Sequence, residues 1–508
     1  MKRRDFLKLS ATGVASIIIG SHLPFLGVKN AFAASQTLEI TITDAVKEMV
    51  THNAINDARC YFWVYKMKAD GIDVPVDCPG PTIYAIKGDT INLTIKNDLD
   101  EVHSFTIPGI YDSGPIAPGQ TVSTTNPIVL NISGAFLYHD NLNVPVNRVM
   151  GLHGALVVRP AVAASGHNFT PYDSPTAHVQ NIYDNFGTNP TGGAAAWPGL
   201  KWEEGDPNNV GLTNPTPAFR QYVWLYHQAS PRLFAEVGNF TPGQNYPAAT
   251  FLQKFTRDPF SPTRQNGKPE FFTINGQSGF FSHFSPAITP MIRVGEPFVI
   301  HILNAGLQTV SHHFHCNHFF ITSTGSAVNG SIQPNPNPIW VDVYGIKPMD
   351  LVDYTFPGMR PPDVPNNRGI GRPDPPLITI SGNPCWPPVE EMQTHIPLSF
   401  VPAPGSLEAI GAPTDINGNL LNMGQRLSPL CYPAHDHLEP SQTAQGGNYN
   451  CGLISGVYVI GDRNAQGQGL GNYRDFPMDA DFASMFRNIR GLAVGGINAT
   501  RESAGPRP

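Results

Sequence analysis

The stretch Pro79-Gly80-Pro81-Thr82-Ile83-Tyr84-Ala85-Ile86-Lys87-Gly88-Asp89-Thr90-Ile91-Asn92-Leu93-Thr94-Ile95-Lys96-Asn97 decides the fold. It reads as a turn, a strand, a Gly-Asp turn and a second strand. In that second strand Ile91, Leu93 and Ile95 face one way, and Thr90, Asn92, Thr94 and Lys96 face the other. This is the two-residue period of a strand with one buried face. A related pattern returns at Thr273-Ile274-Asn275-Gly276 and Ile292-Arg293-Val294-Gly295-Glu296-Pro297-Phe298-Val299-Ile300-His301-Ile302-Leu303-Asn304. Both copies run from a strand through a Gly-acid turn to a strand ending in Asn. Each is followed by a histidine, His103 or His312, and by a second histidine site, at His139 or at His435 and His437. Two β-sandwich domains of one kind are the simplest account. The first is expected over residues 36–160 and the second over residues 216–462, joined by a Gly/Pro/Asn-rich linker at 161–215. A long excursion is expected at about 360–430 and a tail from 463.

The rest of the chain agrees with an all-β reading. Of 508 residues, 49 are Gly and 50 are Pro, and only 14% are charged, a loop-rich but globular composition. Net charge is -7 without a basic stripe, which argues against nucleic acid as a partner. No nucleotide loop, serine elbow or zinc-protease helix occurs. Residues 1–34 read as a leader outside the fold. Lys2-Arg3-Arg4-Asp5-Phe6-Leu7-Lys8 is a twin-arginine pattern, Leu9 to Leu26 is moderately apolar, and Ala31-Phe32-Ala33 suits cleavage. A membrane anchor is the alternative, but a span needs ~20 apolar residues, and Ser10, Thr12, Ser16, Ser21 and His22 interrupt this run. The expected location is periplasmic or extracellular, where disulfides are permitted. Among six cysteines, Cys60 with Cys78 and Cys385 with Cys431 are candidate pairs, and other connectivities stay open.

The chemistry is expected at the histidines. His312-His313-Phe314-His315-Cys316-Asn317-His318 holds four imidazoles. On a regular strand His313 and His315 share one face, and His312 and His318 the other. His435-Asp436-His437 also places two imidazoles on one face, with Asp436 opposite. Imidazole clusters suit copper, zinc, iron and nickel. The alternative is histidines satisfied by backbone hydrogen bonds, and His153, on a closing strand, reads as core.

These residues carry a resemblance to multicopper oxidases. Pro79-Gly80-Pro81-Thr82 with Gly88-Asp89, and Arg148-Val149-Met150-Gly151-Leu152-His153-Gly154-Ala155-Leu156, look like the first domain of that family. His312 to His318 is similar to its His-Pro-Phe-His-Leu-His-Gly run, and His435-Asp436-His437 to its His-Cys-His run. The resemblance implies two cupredoxin-like Greek-key sandwiches and copper as cofactor. It also implies an oxidoreductase served by an outside electron donor or small substrate, and a possible homotrimer. It implies His103, His139, His315, His435 and His437 as metal ligands, while Phe105, Asn141 and Asn317 stand where histidines are expected. Asp436 stands at the blue-copper cysteine position and Asp140 at the matching place in the first domain, so a normal blue site is not expected. The two aspartates are candidate catalytic proton donors or partners of the histidines, or else hydrogen-bond backbone in a tight corner. The alternative function is a non-catalytic cupredoxin scaffold, or a copper storage or delivery protein of the cell envelope.

Overall fold

Alternating apolar residues become strands wherever a partner sheet can cover one face. The computed structural model describes residues 16–18, 35–49, 58–185, 219–256, 268–285, 287–293, 298–315, 317–356, 379–380, 383–384, 430–438, 441, 451–463 and 473–475. The first sandwich is built from β1 (Ser35–Met49), β2 (Ala58–Ala69), β3 (Thr82–Ile86), β4 (Thr90–Asn97), β5 (Gly134–His139) and β6 (His153–Arg159). One sheet runs β4-β1-β2 and the other β3-β6-β5, with β1 parallel to β4 and β3 parallel to β6. The second sandwich is built from β7 (Arg220–Ala229), β8 (Phe271–Ile274), β9 (Phe298–Asn304), β10 (Val310–Phe314), β11 (Phe319–Ser326), β12 (Asp350–Phe356), β13 (Leu430–Asp436) and β14 (Ile454–Arg463). Its sheets run β8-β7-β9-β12-β11 and β14-β13-β10. β7 is parallel to β9, and strand Met291–Arg293 is parallel to β14. The same mixture of parallel and antiparallel pairs thus occurs twice, and the protein is all-β with two cupredoxin-like sandwiches, as the repeat predicts.

Each sandwich has its own core. Leu38, Ile40, Trp63, Tyr65, Leu93 and Phe136 fill the first, and Trp224, Tyr226, Ile300, Ile302, Phe314 and Tyr354 the second. Burying each such side chain stabilises by roughly 1.5–3 kcal/mol. The repeated Asn marks one corner in both. Asn97 accepts from the Leu99 amide and donates to the Glu101 and Ile116 carbonyls. Asn304 accepts from the Gly306 amide and donates to the Gln308 and Ile346 carbonyls. Both are fully buried, so the side chain satisfies backbone groups that the turning strand leaves behind.

A third apolar cluster joins the sandwiches. Ala135, Leu137, Ala155 and Val157 of the first pack on Val223, Leu225, Leu303 and Leu351 of the second. The buried Arg148 guanidinium crosses the seam to the carbonyls of Ala305 and Gly306. Two helices, Pro231–Gly238 and Ala248–Phe255, return to the first core through Leu233, Phe234, Val237, Phe251 and Phe255.

Three expectations need correction. Residues 161–185 are not a bare linker: helix Ala177–Asn185 packs Val179, Ile182 and Tyr183, with Phe169 and Tyr172, onto Phe219, Val299 and Phe320. The leader is not wholly outside the fold, because Ser16–Ile18 pairs in parallel with Thr82–Tyr84. Cys60 and Cys78 are both unbridged thiols rather than a disulfide. Residues 186–218, nearly all of the 360–430 excursion with Cys385, the residue Cys316 and the tail beyond 475 lie outside the described residues. Among the described residues no helix is long and apolar enough to cross a membrane.

Gly154 shows how tightly the first core is built. A Cβ there would overlap the Tyr138 ring, whose hydroxyl donates to the Pro81 carbonyl at 2.7 Å. Gly154→Ala is therefore expected to destabilise by about 1–3 kcal/mol, the usual cost of overpacking. Chemical denaturation measures it, and an unchanged midpoint would show that β5 and β6 yield at no cost.

Candidate metal centre

Strand period sorts the histidines of β10. Val310, His312 and Phe314 are buried, while Ser311 and His313 stay partly open. His312 points inward between Trp224 and Tyr226, with ring centroids at 4.9 and 5.8 Å, and its Nε2 meets the Ser455 hydroxyl at 2.8 Å. Burial, then the nearby His435 and His313, hold its pKa well below the usual imidazole range. His318 lies past the strand and stacks on Trp340. His313 and His315 leave by the opposite face.

Antiparallel pairing of β10 with β13 sets His435 directly across from His313 and Asp436 across from His312. His437 follows, its amide donating to the Ser311 carbonyl at 2.9 Å. The result is a cluster of four imidazoles. His313 lies 5.1 Å from His315, 5.8 Å from His435 and 5.2 Å from His437 between ring centroids. His315 Nε2 and His435 Nε2 are 2.8 Å apart. His435 Nδ1 donates to the Asp436 carbonyl at 2.9 Å, and His313 Nδ1 to the Asp342 carbonyl at 3.1 Å. A carbonyl only accepts, so these contacts place the proton on Nδ1 and leave the Nε2 lone pair for a ligand. Metal-binding histidines are oriented in this way. Burial lowers the pKa of His313 and of His315; the neighbouring imidazoles add to the shift, while at His313 the Asp342 carbonyl and charge oppose it without reversing it. Both imidazoles are thus held in the neutral form that binds metal.

The two aspartates occupy matching corners. Asp140 N donates to Leu152 O and Asp436 N to Leu453 O, and each carboxylate accepts the amide two residues on, Leu142 or Leu438. Asp436 also accepts from the Ser311 amide and the Ser441 hydroxyl. Its oxygens brace the corner on the side opposite the four imidazoles, and burial raises its pKa. Asp140 touches a histidine, with Oδ2 at 2.8 Å from His103 Nδ1, and it accepts from Ser104 and Asn147 as well.

His103 and His139 are held within the first sandwich. His103 is fully buried against Trp63 at 4.9 Å, with Nε2 3.7 Å from Glu101 Oε2. Burial opposes its protonation, but Asp140 and Glu101 outweigh burial and raise its pKa. His139 donates from Nδ1 to the Asp140 carbonyl, and burial lowers its pKa. Thr106 stands across from His139, where His313 stands across from His435. The structure therefore gathers His315, His435 and His437, adds His313, and gives His103 and His139 surroundings of their own. The alternation of β10 already put His313 beside His315. It was missing from the expected ligands because family positions, not strand faces, chose that set.

The donor set fits copper. His315 and His435 bring two Nε2 atoms to 2.8 Å of each other, with the His313 and His437 rings beside them, and imidazole suits copper among other transition metals. No sulfur donor faces this cluster among the described residues, since Asp436 fills the middle of the His-Asp-His run. Residues 62–162 match the family model for multicopper oxidase. No curated protein matches the chain by sequence. Among solved structures, the blue copper oxidase of Nitrosomonas europaea is 13% identical with a TM-score of 0.43, covering 82% of this chain and 84% of its own. The copper nitrite reductase of Nitrosomonas europaea is 13% identical with a TM-score of 0.41, covering 86% and 98%. The copper-containing nitrite reductase of Thermus scotoductus is 12% identical with a TM-score of 0.40, covering 87% and 66%.

Proposed function

We propose that this chain, in which residues 62–162 form a multicopper oxidase domain, is a copper oxidoreductase whose metal is held by His313, His315, His435 and His437. The observation that carries the reading is the 2.8 Å approach of two Nε2 atoms inside a four-imidazole cluster. Copper bound there supplies single-electron exchange with a small molecule. The chain supplies the rest. The Asp342 and Asp436 carbonyls fix two rings, and Asp436 with Ser441 locks the corner that carries His435 and His437. His315 and His437 are exposed, leaving room for a small ligand such as dioxygen or a nitrogen oxide, or for a metal or small organic donor. With Asp436 in place of a thiolate, electrons come from an outside donor that docks near the cluster. The twin-arginine pattern at Lys2 to Lys8 supports export from the cytoplasm as part of this reading, and a homotrimer is the assembly that the resemblance implies.

Copper analysis with electron paramagnetic resonance tests this reading. The copper-loaded chain is expected to show a divalent copper signal with the wide hyperfine splitting of nitrogen ligation and no intense blue band. A narrow splitting with strong blue colour would mean that a thiolate completes the centre, against the role given to Asp436. A second reading, copper storage or delivery, is favoured by the exposure of His315 and His437. Sustained turnover with an added reductant and dioxygen or nitrite supports the enzyme, and stoichiometric release of copper to a chelator without turnover supports the carrier.

A further inference from the structure

At the seam between the sandwiches, Cys78, His153 and His227 converge away from the four-imidazole cluster. The Cys78 sulfur and one nitrogen from each histidine all lie within 4.8 Å of one another. All three residues are buried, with exposures of 3%, 0% and 2%. Their positions come from three separate constraints. Cys78 precedes the Pro79-Gly80-Pro81 turn, which is tied down by the Gly80 amide donating to the His153 carbonyl at 2.8 Å. His153 opens β6. His227 comes from β7 of the other sandwich, with its ring centroid 4.5 Å from that of His153.

The hydrogen bonds define which ring nitrogens carry lone pairs. His153 Nδ1 donates to the Arg148 carbonyl at 2.8 Å, and its Nε2 is buried with no hydrogen-bond partner. His227 Nε2 donates to the Val149 carbonyl at 2.7 Å, which leaves the lone pair on Nδ1. A buried nitrogen acceptor without a donor is a cost that packing does not explain. Phe62 and Phe234 close over His227, each 6.3 Å away between centroids, so water is kept from the site.

We propose that Cys78, His153 and His227 form a second metal site that binds monovalent copper and pins the two sandwiches together. Soft thiolate with imidazole selects Cu(I) or zinc, and charge decides between them. On binding, the Cys78 thiol loses its proton to solvent and a sulfur–copper bond forms, with no change in oxidation state. Cu(I), one thiolate and two neutral imidazoles sum to a neutral unit. A dication would leave a positive unit in the dry seam that already holds the buried Arg148 guanidinium, whose charge acts on both imidazoles. Uncompensated buried charge of that kind is strongly disfavoured. The site is shut from solvent, so the ion enters as the chain folds.

The test uses the full chain, refolded anaerobically in the presence of Cu(I) and then challenged with a cuprous chelator. It compares wild type, Cys78→Ser, His227→Gln, and the double variant His315→Ala with His435→Ala. Wild type and the double variant are each expected to keep one chelator-resistant copper equivalent. X-ray absorption is expected to show a sulfur neighbour on that copper and a rise in melting temperature on loading. Cys78→Ser and His227→Gln are expected to lose the resistant equivalent. The proposal is overturned if Cys78→Ser keeps it, if the copper of the double variant has no sulfur neighbour, or if the purified chain carries a Cys60–Cys78 disulfide. Should Cys78→Ser fail to fold, the double variant decides through its sulfur scattering. Zinc retained in preference to Cu(I) under competition would overturn the charge argument. The double variant lacks two ligands of the proposed divalent centre, so failure of one site does not imply failure of the other.

Discussion

Asp353→Ala is expected to lower the unfolding free energy by about 3–5 kcal/mol, the range for removing one partner of a buried ionic pair. Asp353 is 2% exposed on β12, directly across from His301 of β9. Its Oδ1 lies 2.6 Å from His301 Nδ1, and its Oδ2 accepts from the Tyr172 hydroxyl at 2.7 Å. Tyr172 belongs to the segment that packs helix Ala177–Asn185 onto the second sandwich, so the carboxylate also anchors that segment. Truncation leaves the His301 Nδ1 donor buried without its acceptor, and leaves the Tyr172 hydroxyl only the Thr322 hydroxyl at 3.0 Å. The pH dependence has a definite sign. Burial pushes the Asp353 pKa up, but the His301 charge and the hydrogen bonds from His301 and Tyr172 outweigh it, and the pKa is lowered. A depressed carboxyl pKa gives stability that is fully present above the unfolded value of about 3.9. That stability is lost as pH falls through the folded value. Urea titrations at neutral pH and between about pH 4 and pH 2 measure both effects. Wild type should lose stability across the acid window and Asp353→Ala should lose less. A neutral-pH change below about 1 kcal/mol would show that His301 and Tyr172 find other acceptors.

Much of the fold was legible because its signals are local. The alternation of Ile91, Leu93 and Ile95 needs only a sheet with one covered face. Asn97 and Asn304 each stand where a strand turns a corner and its backbone groups need a short polar side chain. The opposite faces of His312 and His313 followed from the strand period, but the strand ends at Phe314, so His318, expected on the His312 face, lies past it against Trp340. Helix Pro231–Gly238 was equally local, with Ser230 accepting from the Leu233 amide and Pro231 in the first turn. The segment 161–185 departs from the expected linker for a physical reason. Its Gly and Pro content suggests a linker, yet Val179, Ile182 and Tyr183 have helical spacing and find an apolar surface on the second sandwich. The Cys78, His153 and His227 cluster was not legible at all. No spacing links these three residues, and only the docking of β7 on the turn before β6 brings them together. His153 was read as core, which its burial supports, but the bare Nε2 is visible only once its neighbours are known.

The double variant His315→Ala with His435→Ala is expected to abolish the divalent copper signal while leaving the fold intact. His315 is exposed at the end of β10 and His435 is half-buried, so neither fills the core. The stability cost should stay near the ~0.5 kcal/mol typical of surface positions. The effect on metal is far larger. These two residues supply the facing Nε2 pair at 2.8 Å, and their loss leaves His313 and His437, 5.2 Å apart between centroids, to hold the ion alone. Losing an outer partner of a metal ligand already weakens binding by about 10–100-fold. Losing two ligands should exceed the upper end of that range. Equilibrium dialysis with divalent copper and integrated paramagnetic resonance read the loss, and circular dichroism checks the fold. Each single variant should show an intermediate loss, because three imidazoles remain in each. A full signal in the double variant would move the divalent centre elsewhere. His103 and His139 would then be the next residues to replace, and Asp140, which accepts from His103 and whose carbonyl holds His139, would be the group orienting both.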